Sequence, residues 1–170
     1  MPSITAYPQL ITQASDGFDW GNLSGALADD DAYAECGGKG VLWTYIGGPT
    51  KELVATGFDF SSLPSNIRIT GIRLDVGIRG VDEVKEYYVA VTKGSEVRKK
   101  AGSRWFSVGV WSYGGATDSW GTSWTRADLD NVGAIFRGYI DGWGTAGIQV
   151  NFLRLTVFYE VEFGLSLIHI

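Results

Sequence analysis

Ile67-Arg68-Ile69-Thr70-Gly71-Ile72-Arg73-Leu74-Asp75-Val76-Gly77-Ile78-Arg79 is the stretch that decides the fold. Aliphatic side chains occupy alternate positions, first at Ile67 and Ile69, then at Ile72, Leu74, Val76 and Ile78. A period of two belongs to a β-strand with one face in a core. The parity changes across Thr70-Gly71. A β-bulge near Gly71 is therefore expected, because one extra residue keeps both halves facing the same interior. A second long alternation covers residues 146–163. Ile148, Val150 and Phe152 share one parity, and Leu153, Leu155, Val157, Tyr159, Val161 and Phe163 share the other. That switch places another bulge or bend near Phe152-Leu153.

Working outward, shorter strands are expected at residues 53–60, 87–93, 104–113 and 132–139. Residues 104–113 carry Trp105, Ser107, Gly109 and Trp111 on one side and Phe106, Val108 and Val110 on the other. Apolar groups on both sides fit a central strand, or one covered by a neighbouring subunit. Phe58 and Phe60 are expected on one side of a strand, followed by a tight reversal at Ser61-Ser62-Leu63-Pro64. Gly37-Gly38, Gly40 and Gly47-Gly48-Pro49 mark turns in the less regular residues 20–50. Only residues 125–130 read as helical, with Thr125 as a cap and Asp128 at capping-box spacing. The expected architecture is an all-β, antiparallel β-sandwich, jelly-roll-like, with one short helical turn near 125–130. A closed barrel is the nearest alternative, and a parallel α/β sheet is excluded because crossover helices are missing. The expected organisation is an N-terminal arm (1–17), one sandwich domain (18–163) and an apolar C-terminal tail (164–170).

Composition agrees. The chain has 170 residues, 24 of them Gly, with 14% aromatic and 19% charged residues. So many rings and so little charge exclude a disordered chain, a coiled coil and a helical bundle. A net charge of −5 removes the electrostatic footprint of a nucleic-acid binder. Arg98-Lys99-Lys100 reads as a solvated loop between strands. No apolar run approaches the roughly 20 residues that span a bilayer, so no membrane partner is expected. The N-terminus lacks the pattern of a signal peptide, which points to synthesis in a reducing cytosol. Lone Cys36 is expected as a free, partly buried thiol, with pairing to another chain as the alternative.

Chemistry is thinly represented. His169 is the only histidine and Cys36 the only cysteine, which argues against nucleophilic catalysis and a zinc site. Asp16, Asp19, Glu52, Asp59, Asp118 and Asp141 are candidate carboxylates for a glycosidase, yet nothing in their spacing pairs them. Asp29-Asp30-Asp31 and Asp128-Leu129-Asp130-Asn131 carry calcium-type ligands without EF-hand spacing. Gly37-Gly38-Lys39-Gly40 lacks the P-loop pattern. No catalytic residue, metal or cofactor is expected. The remaining signal is aromatic. Trp105, Trp111, Trp124, Trp143, Tyr113 and Tyr139 exceed what one core of this size absorbs, whereas Trp120 is expected to be buried under the 125–130 turn with Gly121 letting the backbone pass over a ring. Trp105, Trp111, Tyr113 and Trp143 are the candidates for a subunit interface or a sugar platform, with Trp143 read as a loop-tip residue. Leu165, Leu167, Ile168 and Ile170 form an apolar terminus expected to seek cover on its own or a neighbouring subunit. The N-terminal arm is expected to behave likewise.

Four blocks carry a resemblance. Trp20-Gly21-Asn22 with Ala28-Asp29-Asp30-Asp31-Ala32-Tyr33-Ala34 comes first. Thr56-Gly57-Phe58-Asp59-Phe60-Ser61-Ser62-Leu63-Pro64-Ser65 follows, running into Ile67-Arg68-Ile69-Thr70-Gly71-Ile72. The third is Asp118-Ser119-Trp120-Gly121-Thr122-Ser123-Trp124-Thr125-Arg126-Ala127-Asp128, and the last is Phe152-Leu153-Arg154-Leu155-Thr156-Val157-Phe158-Tyr159. In order and spacing, over residues 20–161, they resemble a family of β-sandwich proteins and modules encoded among bacteriophage and prophage structural genes. Asn131-Val132-Gly133-Ala134 departs from the family pattern by lacking an aromatic, and residues 164–170 lie beyond the family's usual end.

The resemblance implies a non-enzymatic virion structural protein, made in the host cytoplasm. The expected role is an exterior accessory component, in capsid decoration or in neck, collar or tail attachment. Its expected partners are other copies of itself, as a trimer or hexamer, and other virion structural proteins. A glycan-binding host-attachment module of a tail fibre or spike is the competing reading, with host surface glycan as partner. A carboxylate-based hydrolase is the third.

Overall fold

Alternation drives the chain into two antiparallel sheets. The computed structural model describes residues 2–37 and 44–162. Its strands are β1 (Ser3–Ala6), β2 (Leu10–Ala14), β3 (Trp20–Gly21), β4 (Ala34–Gly37), β5 (Tyr45–Pro49), β6 (Glu52–Thr56), β7 (Ile67–Asp82), β8 (Val84–Lys93), β9 (Glu96–Ala101), β10 (Gly109–Gly114), β11 (Val132–Trp143) and β12 (Gly147–Val161). The first sheet runs β10-β7-β12-β4-β3, with β1 also on β12. The second runs β2-β6-β11-β8-β9, with β5 also on β11. The sheets face each other as a sandwich, and a closed barrel does not form. Ile72, Leu74 and Val76 of β7 and Leu153, Leu155 and Val157 of β12 are fully buried, in one cluster with Leu53, Val91, Phe136 and Ile140 of the opposite sheet.

Both parity switches are bulges. Phe158 pairs with Gly71 and Tyr159 with Ile69, so Thr70 is the extra residue. Farther along, Val150 pairs with Ile78 and Phe152 with Gly77, which makes Asn151 the extra residue on β12. Leu153, Leu155 and Val157 thereby return to the inner face.

Several boundaries differ from expectation. Residues 3–6 and 10–14 of the supposed arm are β1 and β2, one in each sheet of their own chain. The helical reading holds at Ala127–Asn131, a 3-10 turn, where Thr125 Oγ1 accepts from the Asp128 N–H (3.2 Å) and Asp128 Oδ2 accepts from the Thr125 N–H (2.7 Å). A second 3-10 turn, Leu23–Ala26, has no counterpart in that reading. Phe58 and Phe60 are buried, but they lie past the end of β6 in a loop. Arg98-Lys99-Lys100 belongs to β9, not to a loop, because Val91 pairs with Arg98 and Val89 with Lys100.

The largest correction concerns residues 104–113, which form neither one strand nor a central one. Arg104–Phe106 lies along β8: the Glu86 N–H donates to Arg104 O and the Phe106 N–H to Val84 O. The chain then crosses to the other sheet, where β10 pairs with β7 at its edge. Phe106 faces the interior from one sheet and Trp111 from the other, and their rings meet edge to face at 4.9 Å. Apolar groups on both sides reflect this change of sheet.

Candidate functional site

β11 has two unlike faces. Val132, Ala134, Phe136 and Ile140 are buried in the core, whereas the alternate residues Ile135, Arg137, Tyr139, Asp141 and Trp143 look outward. Register brings neighbours to them. Tyr88 of β8 stands opposite Arg137 and Lys85 opposite Tyr139, with a bulge between that displaces Tyr87. Tyr45 of β5 stands opposite Trp143.

These side chains interlock. Lys85 Nζ lies 5.5 Å from the centre of the Trp105 ring, 5.3 Å from that of Tyr139 and 3.2 Å from Asp141 Oδ2. The Arg137 guanidinium sits 5.2 Å from the Tyr87 ring and 5.7 Å from the Tyr88 ring, and Lys99 Nζ lies 4.2 Å from Tyr88. The Tyr45 and Trp143 rings meet edge to face at 5.7 Å, and the Tyr45 hydroxyl donates to Asp141. The Trp143 N–H donates to Glu83 Oε2 (2.8 Å). Burial raises the Tyr88 phenol above its ordinary pKa, and the Glu52 carboxylate that accepts its proton raises it further. The result is a band of rings threaded by cations, each held by aromatic faces or an acid. Three of its rings reach solvent: Trp105 and Trp143 are each 55% exposed and Tyr45 52%.

Two of the four described sequence candidates, Trp105 and Trp143, belong to this band. Trp143 ends β11 and is not a loop tip. Trp111 and Tyr113 do not belong, because they point from β10 toward the other sheet and are half-buried. Trp111 Nε1 donates to Ser107 O (3.0 Å) and the Arg104 guanidinium covers its ring. Tyr113 donates to Glu86 Oε2 (2.7 Å), whose carboxylate also accepts from Arg104 Nε (2.8 Å), Nη2 (3.0 Å) and the Arg104 N–H (3.1 Å). Glu86 is only 5% exposed. Burial alone would raise its pKa, but the bonds from Arg104 and Tyr113 outweigh it and hold the carboxyl below its usual value. Leu165, Leu167, Ile168 and Ile170, with His169, lie outside the described residues.

Other rings and several of the acids have structural partners. Trp124 is buried with Lys93 over its ring. Trp120 is buried, with its indole N–H donating to Ile72 O (2.9 Å), and the glycine at its ring is Gly114 and not Gly121: a Cβ on Gly114 would come within 2.7 Å of Trp120 Nε1. Asp19 pairs with Lys51, Asp118 with Lys100 and Asp141 with Lys85. Asp29 accepts from Asn151, and Asp30 from the Ala32 N–H. Among the described residues, no group of three His, Cys, Asp or Glu is placed to hold a metal ion. Cys36 is fully buried, and burial, with Asp19 adding, pushes its thiol up to about 12.

Sequence reasoning passed over Tyr45, Lys85, Tyr87, Tyr88 and Arg137 as parts of a site. The alternation Arg137, Tyr139, Asp141, Trp143 was a usable signal, since it continues the outward face of a strand whose inward face is apolar. Compared with known proteins, the chain matches no family model and no curated sequence.

Proposed function

We propose that this chain is a non-enzymatic structural protein of a bacteriophage particle, an exterior accessory component that self-associates and docks on a larger assembly. The resemblance of the four sequence blocks supports the class. The observation that carries the mode of action is the band on the second sheet. Trp, Tyr and Arg are the residues that dominate protein interfaces, where their bodies lose water and their tips keep hydrogen bonds. In the band, Lys85 lies between the Trp105 and Tyr139 rings, and the Tyr45 and Trp143 rings meet edge to face. These contacts take up part of the ring surface on which a sugar would stack, which favours a protein partner.

Host-surface glycan is the second reading, favoured by the exposure of Trp105 and Trp143 on either side of Lys85 and Asp141. One pair of measurements separates the two. Quantitative mass spectrometry of purified particles is expected to find the chain at many copies per particle. Trp143→Ala is expected to weaken self-association by about 2 kcal/mol, roughly thirtyfold, with the melting temperature unchanged. Binding to cell-wall polysaccharide lost in the same variant, with the chain missing from particles, would replace the structural reading with the glycan one.

A further inference from the structure

We propose that the free edge of β10 pairs, antiparallel and about a two-fold axis, with the β10 edge of a second copy of this chain. β10 ends its sheet. Among the described residues, the backbone of residues 110–113 bonds only to β7, leaving the outward N–H and C=O groups as a template for another strand. The other ends of the two strand orders are guarded, and β1 and β5, beside β12 and β11, are short at four and five residues. β9 carries Arg98, Lys99 and Lys100, β3 is two residues long, and the 3-10 turn Leu23–Ala26 packs against β2. Gly109-Val110-Trp111-Ser112-Tyr113-Gly114 has no charge and no proline.

Exposure points the same way. Val108 is 67% and Val110 54% exposed at this edge, large values for aliphatic side chains beside an open strand.

The charge pattern favours a second copy as the occupant. A two-fold pairing sets each residue against the same short stretch, so any charge on the strand would meet its own kind, and β10 has none. Of the cations on the adjacent edge of the other sheet, Arg98 is matched by Glu96, Lys100 by Asp118 and Arg104 by Glu86, and Lys99 lies over the Tyr88 ring. Two copies therefore approach edge to edge with little like-charge repulsion. Six paired residues span about 20 Å. Such an edge buries less than the roughly 800 Å² per partner of a standard interface, so the dimer dissociates at micromolar concentrations. This surface is separate from the aromatic band and does not depend on the chain being a particle component.

Sedimentation velocity on the full chain, from low micromolar to several hundred micromolar, tests the pairing. The wild type is expected to pass from monomer to dimer as its β10 amides gain hydrogen-exchange protection. Val110→Lys is expected to raise the dissociation constant at least about tenfold, since lysine blocks an edge, while Leu10→Lys on β2 leaves it unchanged. A monomer at every concentration overturns the proposal, as does a dimer whose β10 amides exchange freely. So does protection of β10 that arises only when another protein is present. Should Val110→Lys misfold, the exchange measurement on the wild type still decides. Absence from particles with β10 pairing intact would sink the virion reading alone.

Discussion

Glu86 shows how a single charge is placed between two sheets. An ionised carboxylate with 5% exposure is stable only because Arg104 and Tyr113 supply its hydrogen bonds. Its folded pKa lies below its unfolded value. Its contribution to stability is therefore present above the unfolded value of about 4.3 and is lost as pH falls through the lower folded value. Tyr113→Phe removes one of those bonds. We expect a loss of about 1.5 kcal/mol at neutral pH, and an acid-unfolding midpoint moved to higher pH, both measurable by circular dichroism. Cys36 gives an independent prediction. With its thiol pushed up to about 12 and its sulfur buried, it should react with a disulfide reagent at least roughly a thousandfold slower than a free cysteine until the chain is unfolded. Rapid labelling of the native protein would contradict the burial. Trp120 belongs to the same scale: it keeps a left-handed backbone (φ 60°), offset by its buried ring and an indole N–H donated to Ile72 O at 2.9 Å.

At the scale of elements, the bulges let one long ribbon serve one core. The bulge at Thr70 was legible in the sequence because parity is local, and a change of parity inside an apolar run has few physical solutions. The reason for the adjacent glycine was not legible. A Cβ on Gly71 would come within 2.1 Å of Gly115 O and 2.5 Å of the Ala116 carbonyl carbon, backbone that crosses from a distant part of the chain. Gly71→Ala is expected to cost about 1–3 kcal/mol, the range for forcing extra volume into packed structure, and a melting temperature equal to wild type would refute this account. The capping pair Thr125 and Asp128 was readable for the same reason as the bulge, being three residues apart. The passage from Arg104 through Tyr113 was misread as one strand because alternation reports which side faces apolar surroundings, not which sheet supplies them. A strand that changes sheets and a strand buried on both faces give the same pattern.

The whole molecule is a sandwich with an aromatic band on one outer face and an uncharged edge on the other sheet. Because the two surfaces use different strands, Val110→Lys should weaken the β10 pairing by the same amount, within about 0.5 kcal/mol, in the wild type and in Trp143→Ala. Strong coupling in the double variant, read by sedimentation, would mean that they form one interface. By itself the sequence determined the all-β class, the inward residues of β7 and β12, both parity switches and the 3-10 turn at Ala127–Asn131. Each follows from neighbours a few positions apart, where backbone period and capping geometry act. It also singled out Trp105 and Trp143 as rings in excess of a core. Only the tertiary structure decided that these two share a face with Tyr45, Lys85 and Arg137, that Trp111 and Tyr113 turn inward onto Phe106 and Glu86, and that β10 lies at an edge. Those outcomes depend on strand order and on register between residues tens of positions apart, which the order of residues along one strand does not encode.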